Sequence, residues 1–283
     1  HYNQKIEKLF KLYNDNSQVN QLKALEYAKQ ASLLAENDGD SKGKTYSYIY
    51  IARSLLYMGF QKESTEYMEK ATKEKYYQSN LIAEAMVKQL RSNNYINLGL
   101  TSEGLRENLE ILELLKNEKG YDAANIQLRA TCAVASYYVN QKKYDKAKIY
   151  LDMATFLTKD TVFINKDIDE SRSFIFIRKA RIFLTYNQKD SAFRYFQKGV
   201  LQVQNNPKIT KFLQYFAMGN FYYETGDLQQ ALKYYLLSEK DMELRKWEWN
   251  DFRLKTYQKI ADIYGKLNNP EKKEFYEQKY NVE

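Results

Sequence analysis

Residues that carry most enzyme chemistry are scarce in this chain of 283 residues. It contains one histidine, His1, and one cysteine, Cys132. Ser-His-Asp and Cys-His catalysis each need a histidine held beside a nucleophile in a pocket, and a terminal residue such as His1 is poorly held. We therefore expect neither arrangement, and no histidine-based metal site. Cys132 is interpreted as a packed thiol, because no residue near it in the sequence is an evident activator.

Acidic residues offer the remaining acid–base chemistry. Asp227 lies near Glu224, and Asp167 lies near Asp169. Both pairs fall in predicted turns or on helix surfaces, where carboxylates are normally solvated rather than paired for catalysis. We therefore predict that the chain has no catalytic residues and is not an enzyme. An enzyme whose site follows no recognisable pattern is the alternative.

The segment 38–43, Asp-Gly-Asp-Ser-Lys-Gly, opens like a calcium-binding loop. Such a loop needs Asp or Asn at its first, third and fifth positions and Glu at its twelfth. Here the fifth position is Lys42 and the twelfth is Ile49, so we interpret the segment as a polar link between helices. No glycine-rich phosphate loop follows a strand-like segment either. The sequence therefore predicts no metal and no cofactor.

A helical repeat organises the chain. Hydrophobic residues make up 44% and charged residues 28%, with only 10 Gly and 2 Pro to interrupt helices. The clearest unit runs from Phe212 to Asp241, and its key residues are Tyr215, Met218, Gly219, Tyr222, Gly226, Asp227, Ala231, Tyr235 and Ser238. This order resembles the tetratricopeptide repeat (TPR), with its aromatic residue, Leu-Gly pair, tyrosine, turn, alanine and second aromatic residue. The resemblance implies pairs of antiparallel helices.

Small residues recur at equivalent positions of the repeat, namely Ala52, Ser92, Ala135, Ala180, Gly219 and Ala261. Small side chains let the two helices of a pair approach closely, while aromatic residues fill the space between pairs. The spacings of 40, 43, 45, 39 and 42 residues exceed the about 34 residues of a standard TPR. We expect the extra residues to extend helices or loops, above all a loop at Lys159–Ser171. In the last pair Lys273 replaces the second small residue, which indicates a capping repeat with a solvated outer face.

We therefore predict an all-α fold, a TPR-like right-handed α-α superhelix (solenoid) of about seven helix pairs. It is predicted to form a single domain over residues 1–283. The approximate units are residues 1–40, 41–80, 81–121, 122–170, 171–208, 209–247 and 248–283. No stretch approaches the ~18 apolar residues of a membrane helix, so we expect no membrane contact by this region.

The first helix of each TPR pair lines the concave face of the superhelix. On that basis the predicted groove residues are Tyr50, Arg53, Tyr57, Gln89, Asn93, Asn97, Arg129, Ser136, Asn140, Arg178, Arg181, Asn220 and Tyr223. Asn93 and Asn220 match the asparagine of the TPR clamp for a peptide's terminal carboxylate, but the lysines of that clamp are missing. Arginine binds carboxylates in a bidentate manner, and asparagine bonds to peptide backbone. The predicted partner is therefore a protein or peptide segment, preferably an acidic one.

Long repeats rich in Lys, Asn and Tyr resemble the sensory TPR region of bacterial, membrane-tethered helix-turn-helix transcriptional regulators. The resemblance implies a ligand-sensing region, periplasmic rather than cytoplasmic, whose DNA-binding domain lies outside these residues. Lys and Arg number 44 against 36 Asp and Glu, a net charge of +8. We nevertheless expect no direct nucleic-acid contact, because most aromatic residues fall at helix-packing positions. A structural assembly factor that holds a protein complex together is the alternative function.

Overall fold

A computed structural model describes residues 4–17, 20–163, 168–207, 209–244 and 250–282. Within these ranges the chain forms fifteen α-helices, one 3₁₀ turn at Thr161–Phe163, and no strand. The helices are α1 (Gln4–Asn16), α2 (Gln21–Asn37), α3 (Ser41–Tyr57), α4 (Gln61–Thr72), α5 (Lys75–Gln78), α6 (Leu81–Asn97), α7 (Thr101–Leu114), α8 (Tyr121–Asn140), α9 (Tyr144–Leu157), α10 (Asp169–Thr185), α11 (Lys189–Gln204), α12 (Phe212–Thr225), α13 (Leu228–Leu244), α14 (Asn250–Lys266) and α15 (Pro270–Val282). The predicted all-α class is confirmed.

Successive helices pair into hairpins, which are α1/α2, α3/α4, α6/α7, α8/α9, α10/α11, α12/α13 and α14/α15. The short helix α5 lies outside this scheme, between α4 and α6. The hydroxyl of Ser41 accepts a hydrogen bond from the backbone N–H of Tyr76 at 3.1 Å and donates one to Glu74 at 2.9 Å. Part of the extra repeat length is therefore a single helical turn fixed by a contact with α3.

The same turn joins the two helices of every hairpin from α3 onwards. One residue in each turn has a left-handed backbone, and these residues are Gly59, Gly99, Lys142, Asn187, Gly226 and Asn268. Each lies seven residues after the small position assigned from the sequence, so the predicted register of the repeat is confirmed. Lys142 has a φ of 56° there, which is costly for a residue with a Cβ atom.

Close approach of paired helices explains the small residues. A Cβ atom added to Gly219 of α12 would lie 2.8 Å from the ring of Tyr235 on α13. In the α6/α7 hairpin the Ser92 hydroxyl donates to the Gly104 carbonyl at 2.9 Å, and an added Cβ on Gly104 would meet Ile96 at 2.7 Å. A larger side chain at these positions would force the helices apart.

The chain divides into two compact units, residues 1–166 and 167–283. In the N-terminal unit, buried side chains from α3 to α8 form the largest cluster, with smaller clusters where α1 and α2 meet α3. In the C-terminal unit, one cluster joins α10, α11 and α12, and another joins α13, α14 and α15. The single continuous domain expected from the sequence stays a prediction.

The segment Lys159–Ser171, where we expected the longest run of extra residues, is described at residues 159–163 and 168–171. It contains the 3₁₀ turn, whose Phe163 is buried against Tyr121, and the first residues of α10. Asp169 and Glu170 lie in the first turn of α10, where a negative charge interacts favourably with the helix dipole. Asp167 lies outside the described residues. In the last hairpin Lys273 is exposed, as predicted for a cap, and pairs with Glu277 at 3.5 Å.

Candidate functional site

The candidate groove residues fall at equivalent positions of the first helices. The residue six positions before each left-handed turn residue is Arg53, Asn93 and Ser136 in the N-terminal unit, and Arg181, Asn220 and Asp262 in the C-terminal unit. In the N-terminal unit α3 contacts α6, and α6 contacts α8. We call the candidates on these three helices the N-terminal face: Tyr50, Arg53, Tyr57, Gln89, Asn93, Asn97, Arg129, Ser136 and Asn140.

Most polar side chains of the N-terminal face are not used by the fold. Gln89, Asn93 and Ser136 are half-buried, whereas Asn97, Arg129 and Asn140 are exposed. Within the described ranges, none of these six side chains makes a hydrogen bond or an ion pair. Helix packing therefore does not account for their polarity, and their donors and acceptors are available to a bound molecule.

Aromatic rings surround the one basic residue of α3 on this face. The rings of Tyr13 and Tyr50 stack at 4.4 Å, and the Arg53 guanidinium lies 5.8 Å from the centre of the Tyr50 ring. Tyr57 also neighbours Arg53 and is 40% exposed. Burial raises the pKa of the Tyr13 and Tyr50 hydroxyls, and the charge of Arg53 only partly offsets that rise. The tyrosines are thus neutral hydrogen-bonding groups around a fixed cation.

The candidates of the C-terminal unit are more engaged in internal contacts. The guanidinium of Arg178 lies 4.8 Å from the centre of the Phe174 ring, while Arg181, on the same helix, is exposed. The side-chain carbonyl of Asn220 accepts a hydrogen bond of 2.7 Å from the Tyr235 hydroxyl. That bond ties α12 to α13, so part of the hydrogen-bonding capacity of Asn220 is used within the fold.

Sequence reasoning missed three residues of α14 that surround Tyr223. The ammonium groups of Lys259 and Lys266 each lie 4.3 Å from the centre of the Tyr223 ring. The Tyr223 hydroxyl donates to Asp262 and accepts from Lys266. Burial raises the pKa of Asp262, but hydrogen bonds from Tyr223 and Lys266 outweigh it, so this pKa lies below its usual value.

Counting back from the turn would have found Asp262, but not the two lysines. Asp262 stands six residues before Asn268, as Asn220 stands six residues before Gly226. The sequence gives no comparable sign that Lys259 and Lys266 approach the ring of a residue on another helix. That encounter depends on how α12 and α14 pack.

Other chemistry is limited in the described part of the chain. Cys132 is buried, in line with its interpretation as a packed thiol. Within the described ranges no group of three or more His, Cys, Asp or Glu residues is placed to hold a metal ion. No described helix is both long enough and apolar enough to cross a membrane.

Comparison with known proteins bears on the fold. No protein-family model matches the chain, and no curated protein matches it. The apo form of the quorum sensor NprR from B. thuringiensis has a similar structure, with a TM-score of 0.68 and 16% identity, covering 98% of this chain and 80% of that one. The chain has a TPR-like helical-repeat fold. BtubC (BKLC) from P. vanneervenii is less similar, with a TM-score of 0.48 and 13% identity over 97% of this chain and 90% of its own.

In a TPR-like fold, the first helix of each pair lines the surface that is open to a ligand. Side chains that point away from the partner helix of a TPR pair are the ones available to a ligand. Asn93 is half-buried on the first helix α6, and its side-chain amide has no partner in the described structure. Of the first helices in the two units, those that form the N-terminal face are therefore the better candidate for a binding site.

Proposed function

We propose that this chain is a non-enzymatic scaffold that binds an extended peptide or protein segment on its N-terminal face. The observation that carries the proposal is the set of polar side chains on α6 and α8 with no partner in the described structure. A carboxamide offers both a donor and an acceptor, so Gln89 and Asn93 can each bond to the backbone of an extended segment. Binding through backbone groups suits a receptor for peptides.

The charge of the face favours an acidic segment. Arg53 and Arg129 are its only charged residues among the candidates, and both are positive. Tyr50 and Tyr57 add aromatic surface beside Arg53, and tyrosine provides large contact area with little loss of side-chain entropy. The net charge of +8 also favours encounter with an acidic partner.

More specifically, we propose that the chain is the ligand-sensing region of a bacterial transcriptional regulator. The structural similarity to NprR supports this more specific proposal, because NprR is a quorum sensor. The DNA-binding domain of such a regulator would lie in sequence outside these 283 residues. A periplasmic location and tethering to a membrane belong to the same proposal. Sequencing the gene on both sides of this region tests directly whether the chain belongs to such a regulator.

The binding proposal is tested by selection from a random library of about ten-residue peptides displayed on phage, with the purified chain as bait. That length spans roughly 33 Å when extended, enough to cross three neighbouring helices. We expect enriched peptides that contain Asp or Glu and compete with one another for a single site. An absence of enrichment, together with one folded protein bound constantly in pull-downs, would contradict this proposal and support the structural assembly factor.

A further inference from the structure

We propose that one side of α9 is an interface between two copies of this chain, which pair through it in antiparallel orientation. The surface consists of Ile149, Met153 and Phe156, and we call it the α9 outer face. It lies on a second helix, whereas the N-terminal face lies on first helices. This interface is therefore separate from the peptide-binding face of the proposed function and does not depend on it.

An exposed apolar stripe runs along α9. Ile149, Met153 and Phe156 are four and three residues apart, a spacing that puts them on one side of a helix. The buried residues of α9 lie on the opposite side, against α8, and are Ala147, Leu151 and Ala154. The helix thus has one apolar side towards α8 and a second apolar side towards solvent.

The register of the repeat shows that this stripe stands where α7 is charged. The three residues of the α9 outer face lie seven, eleven and fourteen positions after the left-handed residue Lys142. Counted in the same way from Gly99, the positions on α7 are Arg106, Glu110 and Glu113. Those three side chains are 66%, 47% and 73% exposed, and the residues of the α9 outer face, in the same order, are 65%, 43% and 75% exposed. Apolar side chains therefore occupy positions of α9 that face water to the same extent as charged positions of α7.

The contrast holds along the chain. Each of the other second helices that follow such a turn also carries a charged residue at these positions: Glu66, Lys70 and Lys73 on α4, Arg194 and Lys198 on α11, Lys233 and Lys240 on α13, and Lys279 on α15. A contiguous exposed apolar surface on a folded protein marks a site of contact with another molecule. The departure from charge on α9 therefore indicates a contact surface.

A charge of each sign stands at the two ends of the stripe. Lys146 lies seven residues before the central methionine and Asp160 seven residues after it, so both stay close to the line of the stripe. The N–H of Asp160 donates to the Leu157 carbonyl at 3.1 Å, which continues the helical turn beyond the end of α9. Lys146 lies 5.6 Å from the centre of the Tyr138 ring, and one oxygen of Asp160 accepts a bond from the Val162 N–H at 3.0 Å. Both side chains are exposed, and within the described ranges neither forms an ion pair.

A second copy of the chain complements this pattern when it runs antiparallel. A two-fold axis at Met153 sets Ile149 of each copy against Phe156 of the other. The same axis sets Lys146 of each copy opposite Asp160 of the other, so opposite charges meet at both ends. Parallel pairing would set like charges against each other at both ends. Because one face supplies both the apolar residues and the complementary charges, a second copy is a complete partner for it.

The interface is small, so the dimer should be weak. From Lys146 to Asp160 the stripe is about 21 Å long, and a contact between two single helices falls below the ~800 Å² per partner of a stable complex. The net charge of +8 on each chain also opposes association. We expect a reversible dimer with a dissociation constant on the order of 10 to 100 µM at about 0.15 M salt.

Sedimentation equilibrium of the full chain from about 5 to about 500 µM tests this proposal. The wild type should shift reversibly from monomer to dimer, and Met153→Lys, which sets two positive charges against each other at the axis, should weaken the dimer by at least about tenfold. Leu201→Lys is the matched control, because Leu201 is 62% exposed at the position of α11 that corresponds to Phe156. It should leave the dimer intact. A monomeric wild type would overturn the proposal and leave the face to a different protein, and equal dimerisation of all three forms or equal weakening by both variants would overturn it too.

Disulfide cross-linking tests the orientation. Two cysteines can be bridged only when their Cα atoms lie within about 7 Å, and the native Cys132 is buried. Met153→Cys should therefore cross-link with itself, whereas Glu110→Cys, at the corresponding position of α7, should not. Ile149→Cys and Phe156→Cys should each cross-link slowly alone and rapidly when mixed. Equal rates for each variant alone and for the mixture would contradict antiparallel pairing and overturn the proposal.

Discussion

Glu239 is a buried carboxylate that holds the C-terminal helix in place. It lies on α13, and its oxygens accept hydrogen bonds from Lys279 at 2.7 Å and from the Tyr276 hydroxyl at 2.8 Å, both on α15. The Lys279 ammonium also lies 5.2 to 5.4 Å from the centres of the Tyr257, Phe275 and Tyr276 rings. Removing one partner of a buried ion pair leaves the other charge buried and uncompensated, which destabilises the fold more than the loss of an exposed ion pair does.

Replacement of Lys279 by Met should therefore destabilise the C-terminal unit at pH 7 by about 1 to 3 kcal/mol, less than for a fully buried pair because Lys279 is partly exposed. Burial lowers the pKa of Lys279, but its hydrogen bond and charge interaction with Glu239 outweigh this, so the pKa lies above its ordinary 10.5. The contribution of Lys279 is therefore complete below that ordinary value and is lost as the pH rises through the raised pKa. Urea unfolding of both proteins at pH 7 and at a series of pH values above 10.5 measures the difference.

The matched control is Lys273→Met on the same helix. Lys273 pairs with Glu277 at 3.5 Å, but both side chains are about half exposed, at 46% and 51%. An exposed pair of this kind contributes at most about 0.5 kcal/mol. Equal losses from the two variants, or a Lys279 effect that does not shrink at high pH, would show that the Glu239 ion pair does not anchor α15.

At the scale of the helix, the crossing of α12 and α13 depends on a pair of small residues. Ala231 is fully buried, and the neighbouring Gly219 already lies against the Tyr235 ring. Ala231→Leu should lower the free energy of unfolding by about 1 to 3 kcal/mol, because the added atoms overpack a close crossing. Gln229→Leu, at an exposed position of the same helix, should change it by less than about 0.5 kcal/mol. Thermal unfolding of both variants decides whether Ala231 lies in the interface.

The sequence predicted the helix pairs well because their signals are local. A small residue such as Gly219 and a left-handed turn residue such as Gly226 are separated by a fixed number of residues, set by the length of the last turns of a helix. Helix α5 could not be predicted in this way. It is one turn long and is held by the Ser41 side chain from a preceding helix, so its stability comes from a contact distant in sequence.

The sequence predicted where the candidate site residues lie in the repeat. It did not predict which of their side chains are hydrogen-bonded within the fold. Residues such as Asn93 and Asn220 stand at equivalent places in the repeat, and the sequence gives no reason to distinguish them. The structure does, because the Asn220 carbonyl is bonded to Tyr235 while the Asn93 side chain has no partner in the described ranges. Whether a polar side chain serves the fold or a ligand depends on its neighbours across helices, which spacing alone does not contain.

For the molecule as a whole, the two units differ in how they use one position of the repeat, the residue six positions before the left-handed turn residue. In the N-terminal unit the residues at this position are Arg53, Asn93 and Ser136. The side chains of Asn93 and Ser136 have no hydrogen-bond or ion-pair partner within the described ranges, and Arg53 has no acidic partner there. In the C-terminal unit Asn220 and Asp262 at the same position are both bonded to tyrosines of the fold. We infer that the N-terminal unit is the ligand-binding part, because the C-terminal unit uses two of its three residues at this position, Asn220 and Asp262, within its own fold, while Arg181 is exposed.

The most direct test of this account is the affinity of one selected, fluorescein-labelled peptide for three forms of the full chain, measured by fluorescence anisotropy. The forms are wild type, the double variant Gln89→Ala with Asn93→Ala, and the double variant Gln30→Ala with Asn37→Ala. The second pair removes the same two residue types from exposed positions of α2, a second helix. Loss of several hydrogen bonds should weaken binding about tenfold to hundredfold in the first variant and leave it unchanged in the second. Equal affinities for all three forms would contradict peptide binding on the N-terminal face.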